Sequence, residues 1–445
     1  MTIEQPDTSA LPLPPGTSGL PWIGETISFI TDPDFASKRR QRYGAIFRTH
    51  IIGRPTVVMS GAAANKFILS THFDRFSWRD GWPDNFKELL GASLFLQEGA
   101  EHQRNRKLLM PAFHGKALMN YVTTMTEITD RYLTKWEQMG DLTWFPELKN
   151  LTFEIASVLL IGSEPGAETT ELSRLFTELT NGLFTIPVNW SYTTYGRALA
   201  ARDRLLAHIE KVVLARQQQP TQDALGLLVQ SQDEEGNRLS VTELKVQALL
   251  LLFAGHETTT SLIASFCLAI AQNPEVLARA RTEQIEIGID TPIAIESLKQ
   301  MTYLDRVLRE VERMYPPVGG GFRGVVEEFE FNGYRVPKGW QVLYPIPEAH
   351  FDESIYPAPA NFDPDRLAPD RSESKPSDYT FVTYGGGSRI CIGMAFAQME
   401  LKIIAAKLLR HYNWELLLEQ NLTLDPIPTL HPRDGLKVQF QKLAT

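Results

Sequence analysis

One cysteine lies in a segment whose composition suits metal or redox chemistry. Cys391 is part of YGGGSRICIGMAFAQMEL, residues 384–401, where three glycines precede it and a helix-forming run follows it. The chain has two cysteines, which give no disulfide framework. Cys391 is therefore either a small buried apolar residue, or a ligand or nucleophile held in a shaped loop. The N-terminus of the helix that follows would favour the thiolate form that a ligand or nucleophile needs. Cys267, in an apolar run, is interpreted as core packing.

Four cationic residues could bind an anion beside such a group. His102 and Arg106 lie at i and i+4 of a predicted helix, although alone they indicate only a solvated helical face. Arg323 follows the turn PPVGGGF, and Arg389 stands two residues before Cys391. A thiolate that must not oxidise needs a large, buried, positively charged electrophile, and haem iron fits this requirement. The cations would then bind the two haem propionates through charge-assisted hydrogen bonds.

A long apolar run, residues 248–271, has polar residues at its centre. It contains His256, Glu257 and four consecutive hydroxyl residues, 258–261. Such a group is costly in lipid unless it lines a polar cavity. We therefore predict a buried helix of a soluble protein here and no transmembrane anchor.

The ends of this helix are marked in the sequence. Ser240 and Glu243 have the spacing of a capping box, and Pro274 follows the last predicted turn. Inside the helix, Ala254, Thr258 and Ser261 lie on one face. A small residue next to a hydroxyl group leaves room for a ligand against the helix.

Several other functions are excluded by spacing and charge. His256-Glu257 lacks the second histidine of a zinc protease, because position 260 is threonine. The glycines 385–387 have neither the spacing of a dinucleotide-binding loop nor the lysine of a phosphate loop. The net charge of −9 argues against a broad nucleic-acid surface.

The elements that must position these residues are mostly helical. A helical pattern extends from about residue 62 to 310, and another helix is predicted from Ile392 to about Tyr412. Residues 350–390 are rich in proline, aspartate and serine and have little periodicity. Hairpins are predicted at residues 46–59, at 329–346 (with turns at Asn332-Gly333 and Lys338-Gly339) and in the tail at 426–442.

Four ordered motifs resemble those of the cytochrome P450 family. They are A/G-G-x-D/E-T-T, E-x-x-R, P-x-x-F-x-P-x-R and F-G-x-G-x-R-x-C-x-G, matched here by Ala254–Thr259, Glu310 with Arg313, Pro359–Arg366 and Tyr384–Gly393. Tyr384 stands where the family usually has phenylalanine, which changes the polarity of the loop. The resemblance implies a mainly α fold with a small β portion, in which a long central helix crosses over the haem. It also implies one domain, 1–445, with residues 1–20 as a proline-rich lead-in.

The resemblance implies haem b as the cofactor and Cys391 as the thiolate ligand of its iron. Thr258 and Glu257 are the implied catalytic pair, and Glu310, Arg313 and Arg366 the triad that braces the irregular region 350–390. The remaining cofactor-binding residues that we predict are Arg389, His102, Arg106, Arg323, Tyr384, Gly385 and Gly393.

The implied activity is that of an oxygen-activating monooxygenase. The chain has no flavin, iron–sulfur or nicotinamide motif, so we expect electrons from a separate ferredoxin or similar donor with its reductase. Arg104 and Lys107 could dock such an acidic partner or form a solvated face. The predicted location is cytoplasmic, with peripheral membrane contact left open because of the basic run at residues 38–42.

The substrate is predicted to be an elongated hydrophobic molecule. The segments PPVGGGFR and HQRNRKLLMPAFHGKAL are similar to those of the retinoic-acid hydroxylases and their sterol-handling relatives, notably the cyanobacterial members, which favours a retinoid such as retinoic acid or a related isoprenoid. Candidate pocket residues are Trp78, Trp82, Phe86, Phe176, Phe184, Phe253 and Ala254. Two alternatives remain: peroxide-driven oxidation of a fatty acid or sterol on the same fold, and a haem sensor or carrier without turnover.

Overall fold

The structure, a computed structural model, describes residues 10–371, 373 and 379–443. Contacts divide the chain into two compact units, each assembled from separate segments. Unit 1 comprises Met1–Pro83, Val318–Asn361 and Ser372–Cys391, and unit 2 comprises Asp84–Pro317, Phe362–Arg371 and Ile392–Thr445. The interpretation of residues 1–445 as one domain stays a prediction.

Helices make up most of the described chain, which confirms the mainly α class. The α-helices are α1 (Thr26–Thr31), α2 (Phe35–Tyr43), α3 (Ala62–Lys66), α4 (Asp84–Leu90), α5 (Gly99–Leu109), α6 (Lys116–Met139), α7 (Trp144–Ile161), α8 (Ala167–Leu183), α9 (Thr194–Gln218), α10 (Ala224–Gln230), α11 (Val241–Gln272), α12 (Pro274–Ile287), α13 (Ile295–Gln300), α14 (Thr302–Met314), α15 (Pro347–His350) and α16 (Met394–His411). The strands are β1 (Ile46–Ile51), β2 (Arg54–Met59), β3 (Phe76–Ser77), β4 (Asp141–Thr143), β5 (Gly320–Val325), β6 (Phe329–Phe331), β7 (Tyr334–Val336), β8 (Gln341–Pro345), β9 (Tyr412–Leu416), β10 (Leu424–Asp425), β11 (His431–Pro432) and β12 (Lys437–Lys442).

Unit 1 is built on a five-stranded sheet with the order β1-β2-β8-β5-β3. β1 and β2 form the predicted hairpin, with Ile46 opposite Met59. β2 and β8 pair in parallel, and β5 lies antiparallel to β8. The second predicted hairpin joins β6 to β7, and Asn332 and Gly333 have φ of 52° and 79°, as a type I′ turn requires. Both short-range predictions are confirmed.

Unit 2 is helical around α11. The Ser240 hydroxyl accepts the Glu243 N–H at 3.2 Å and the Glu243 carboxylate accepts the Ser240 N–H at 2.7 Å, so the predicted capping box is confirmed. α11 is the described helix that is long and apolar enough to cross a membrane, but 78% of its most apolar window is buried. This burial is what a core helix requires, because an apolar surface on nearly all sides must be covered by protein.

A three-stranded sheet, in the order β4-β12-β9, also belongs to unit 2. Aromatic rings pack edge-to-face beside this sheet. The centroid of the Trp144 ring lies 5.8 Å from that of Trp136, 5.4 Å from that of Trp414 and 5.5 Å from that of Phe440. The predicted hairpin of the tail is wrong, because β12 pairs with β4 and β9, and β11 pairs with β10. Burial of Phe440 among tryptophans that are distant in the sequence selects this pairing.

The segment between α15 and α16 is irregular, as predicted, in the part that the structure describes. Its helical turns are the short 3-10 helices Pro364–Leu367 and Gly387–Arg389. Residues 372 and 374–378 of this predicted region lie outside the described residues. The helix after Cys391 begins at Met394, two residues later than predicted, because Gly393 has non-helical backbone angles.

Candidate active site

The loop that carries Cys391 is shaped by contacts of its own backbone in unit 1. The Cys391 N–H donates to the Tyr384 carbonyl at 2.9 Å. Gly387 has φ of +60°, and a Cβ atom there would lie 2.0 Å from the carbonyl oxygen of Leu69, so this position requires glycine. Gly385, with φ of +74°, is the other left-handed residue of the turn. Cys391 itself is exposed at the end of this loop.

Two of the predicted propionate ligands share one aromatic ring in unit 1. The guanidinium carbon of Arg323 lies 3.4 Å from the centroid of the Trp78 ring, and that of Arg389 lies 5.2 Å from it. Arg323 is 3% exposed and donates to the Tyr344 hydroxyl at 2.9 Å. Trp78, predicted as a pocket residue, therefore contacts two cations, a role that its apolar character did not reveal.

The other two predicted propionate ligands lie on α5 in unit 2. His102 is buried, and Arg106, one turn later, is partly buried. Arg104 and Lys107 are instead held in ion pairs within the unit: Arg104 Nε is 3.1 Å from Asp233 Oδ2 and Lys107 Nζ is 3.1 Å from Glu234 Oε1. Both side chains therefore already form ion pairs with acidic residues of this chain, so they do not present a free positive surface to an acidic protein.

Three cations of the basic run at residues 38–42 are ion-paired. Lys38 contacts Asp32 at 2.8 Å, Arg39 contacts Glu25 at 2.5 Å and Arg40 contacts Glu348 at 2.9 Å, all within unit 1. The Arg42 guanidinium carbon instead lies 5.1 Å from the centroid of the Tyr43 ring. Peripheral membrane contact stays a prediction.

One face of α11 is open at its centre. Ala254 is exposed although most of the helix is buried, and Thr258, one turn later, is only partly buried. The Thr258 hydroxyl donates to the Ala254 carbonyl at 2.9 Å. Gly255, in contrast, faces protein: a Cβ atom there would lie 2.9 Å from Leu160 Cδ1 on α7, so this glycine serves helix packing. The open face therefore consists of the small Ala254 side chain and the Thr258 hydroxyl, whose oxygen can still accept hydrogen bonds.

Glu257 lies buried next to this face, among titratable groups. Its Oε1 is 2.8 Å from Lys149 Nζ and 3.4 Å from His256 Nε2. Burial raises the pKa of Glu257. His256 and Lys149 act in the opposite direction through their hydrogen bonds and charges, and together they lower the pKa to about 2. Lys149 has a side chain 31% exposed, so it joins the buried carboxylate to solvent. The sequence held no local signal for this partner, because Lys149 lies more than 100 residues away on α7.

Glu310, Arg313 and Arg366 form a closed ion-pair network in unit 2. Arg313 donates to both Glu310 oxygens at 2.8 Å, and Arg366 Nε donates to Oε1 at 2.9 Å. The N–H of Asp363 adds a fourth contact at 3.1 Å. All three charged side chains are at most 1% exposed. The network links α14 to the 3-10 helix Pro364–Leu367, which is the start of the irregular segment.

The candidate pocket residues have different environments. Phe176 is 1% exposed, with its ring centroid 4.8 Å from that of His256, so it belongs to the core rather than to a pocket wall. Phe86 is also buried, in edge contact with the half-exposed Phe184 at 5.4 Å. Trp82 and Phe253 are partly buried, and Ala254 is exposed. Spacing alone could not separate these cases, because core and pocket aromatics have the same periodicity.

Cys267 is buried in α11 and burial raises the pKa of its thiol, so it is a poor source of a thiolate. Cys391 is exposed in a loop of unit 1 that also carries Arg389. Arg389 and the buried Arg323 of β5 approach the same Trp78 ring. A thiol and two cations of one unit suit an iron porphyrin that carries two carboxylates. The residues present therefore fit a haem.

Comparison with known proteins gives the same assignment. The family model described as Cytochrome P450 matches residues 14–440. The chain is 41% identical to putative cytochrome P450 120 of Synechocystis sp., over 100% of both chains, and 35% identical to cytochrome P450 26A1 of Danio rerio, over 96% of this chain and 90% of that one. A solved structure of retinoic-acid-bound cyanobacterial CYP120A1 has a TM-score of 0.92 and 41% identity, over 98% of this chain and 100% of that one. The chain belongs to the cytochrome P450 family, whose members are haem-thiolate monooxygenases.

Proposed function

We propose that this monooxygenase hydroxylates a retinoid, namely retinoic acid or a closely related isoprenoid acid. The observation that carries the proposal is the 41% identity, over nearly the whole chain, to a P450 whose structure holds retinoic acid. An elongated apolar substrate suits Phe253 and Ala254 on the open face of α11, with the Phe86–Phe184 pair of the same unit as a further contact.

We assign Cys391 as the thiolate ligand of the haem iron. Bound haem would supply the activation of O₂ with two electrons and two protons, from which one oxygen atom would enter a C–H bond of the substrate and the other would leave as water. The left-handed Gly385 and the Tyr384 carbonyl, which accepts the Cys391 N–H, shape the loop that carries the sulfur. Gly393, two residues after Cys391, is the N-cap residue of α16. Arg323, Arg389, His102 and Arg106 are assigned to the two propionates.

Proton delivery is assigned to Thr258 and Glu257. With its proton directed to Ala254, the Thr258 hydroxyl can accept a hydrogen bond from the open face, and rotation about Cβ–Oγ1 lets it donate there in turn. Glu257 and Lys149 connect this part of α11 to solvent. Glu310, Arg313 and Arg366 are assigned a bracing role with no part in proton movement.

Electrons are proposed to come from a ferredoxin or similar small donor with its own reductase, in the cytoplasm. This part rests on the sequence, in which flavin, iron–sulfur and nicotinamide motifs were not found. Because Arg104 and Lys107 are engaged in ion pairs, we do not assign them to the docking surface.

Titration of the holoprotein with ligands tests the substrate. All-trans retinoic acid should shift the Soret band to shorter wavelength, the change produced when a substrate excludes water from the iron, and should be hydroxylated when electrons and O₂ are supplied. Palmitic acid and cholesterol serve as comparison ligands. Tighter binding of either than of every retinoid tested would contradict the retinoid assignment. Turnover with hydrogen peroxide alone, or no turnover at all, would favour the peroxygenase or the sensor instead.

The two cysteines provide a matched test of the axial ligand. The reduced protein with carbon monoxide should show the strongly red-shifted Soret band of thiolate ligation, which Cys391→Ser should lose and Cys267→Ser should keep. The reverse pattern would refute the assignment of Cys391.

A further inference from the structure

The indole ring of Trp78 lies against two cations of unit 1. Arg323 stacks closely, with its guanidinium carbon 3.4 Å from the ring centroid, and Arg389 approaches the same ring at 5.2 Å. Both distances are within the range of cation–π attraction, which is stronger for a desolvated cation such as the 3%-exposed Arg323. One ring therefore sets the position of two positive charges.

The backbone holds Trp78 firmly in this place. Trp78 directly follows β3, which pairs with β5 so that Ser77 lies opposite Gly324, one residue after Arg323. A Cβ atom on Gly81 would lie 2.5 Å from the Phe322 carbonyl oxygen, so only glycine permits the following turn to approach β5 so closely. The indole and Arg323 are thus attached to backbone segments in direct contact.

Two guanidinium groups that share one ring repel each other, and that repulsion favours binding of a doubly charged anion. Arg323 also donates to the Tyr344 hydroxyl at 2.9 Å and to the Phe322 carbonyl at 2.6 Å. These hydrogen bonds help to orient the guanidinium group. The arrangement suits a dicarboxylate, and haem carries two propionates.

We propose that Trp78 is a positioning residue that holds Arg323 and Arg389 ready for the haem propionates. The inference rests on the proposed assignment of these two arginines and adds a residue that acts only through them. Trp78 then controls how long the haem is retained, without forming part of the oxygen chemistry.

The test measures haem transfer from the holoprotein to an excess of a haem-free acceptor globin. Trp78→Leu should accelerate haem loss about tenfold, and Trp78→Phe, which keeps an aromatic ring, should stay within about threefold of wild type. Trp340→Leu replaces another half-buried tryptophan of unit 1 and should change the rate little. Equal acceleration in the Trp78→Leu and Trp340→Leu variants would show general loosening and overturn the proposal.

A double-mutant cycle separates this inference from the assignment on which it rests. If Trp78 acts through Arg323, Trp78→Leu should add little to the haem loss caused by Arg323→Gln alone. Full additivity would overturn the proposal. An unchanged rate in Arg323→Gln would instead refute the propionate assignment itself. If Trp78→Leu yields no holoprotein, the same cycle is run with Trp78→Phe, whose smaller effect should again vanish in the Arg323→Gln background.

Discussion

Two buried glutamates of unit 2 have opposite surroundings. Glu310 on α14 accepts hydrogen bonds on both oxygens from Arg313, and on Oε1 also from Arg366. Glu257 on α11 is contacted on Oε1 by Lys149 and His256, whereas its Oε2 has no hydrogen-bond partner among residues 10–371, 373 and 379–443. One carboxylate is saturated by its neighbours and the other retains hydrogen-bonding capacity.

The neighbours of the two carboxylates differ in whether they can exchange protons. Guanidinium groups do not lose their protons in proteins, so the network of Glu310, Arg313 and Arg366 can fix structure but cannot relay a proton. Lysine and histidine can titrate, and Lys149 reaches solvent. We therefore propose that bracing and proton delivery are separated between two glutamates that are both buried and both ion-paired.

Removal of the Glu310 carboxylate should produce the largest effect on stability. Glu310→Ala leaves Arg313 and Arg366 buried without their counter-charge, which costs about 3–5 kcal/mol of the free energy of unfolding. We expect poor expression, little bound haem and a thermal midpoint lowered by roughly 5 °C. Thermal unfolding of the purified protein, with haem content from its absorbance, measures this. A stable holoprotein with wild-type turnover would contradict the bracing role.

Loss of charge at Glu257 should affect stability less and in a pH-dependent way. Because its pKa is lowered from 4.5 to about 2, the ionised group stabilises the fold above pH 4.5, and this stabilisation is lost as the pH falls towards 2. The contribution is at most roughly 3 kcal/mol. Denaturant unfolding of wild type and Glu257→Gln at pH 7, 4.5 and 3 checks it. A stability difference that stays constant from pH 7 to 3 would show that the low pKa is wrong.

Features that depend on neighbours in the sequence could be predicted. The capping box of Ser240 and Glu243 and the turn at Asn332-Gly333 are each encoded within four residues, and both were found where expected. The motif around Cys391 was equally local and indicated the family. The position of β12 could not be predicted in this way, because its partner β4 lies almost 300 residues earlier in the chain.

Contacts between side chains that are far apart in the sequence could not be predicted from local sequence patterns. The pairing of Glu257 with Lys149 and the stacking of Arg323 on Trp78 join segments with no common periodicity. The requirement for Gly387 likewise comes from the distant backbone of Leu69. Such contacts depend on how elements pack, which hydrophobic spacing does not specify.

We propose that the open face of α11 delivers protons during oxygen reduction, and a substitution at Thr258 tests this role. Thr259 is the matched control, because its hydroxyl also bonds to the carbonyl four residues earlier, at 3.0 Å, but its side chain is buried. If both threonines only bend the helix, Thr258→Ala and Thr259→Ala should behave alike.

The decisive measurement is product formed and hydrogen peroxide released per electron consumed, with a bound substrate and a ferredoxin-type donor. Our account predicts that Thr258→Ala keeps its haem and its rate of reductant consumption but forms about tenfold less product, with the missing electrons recovered as peroxide, while Thr259→Ala stays close to wild type. A wild-type product yield per electron in Thr258→Ala would contradict the account.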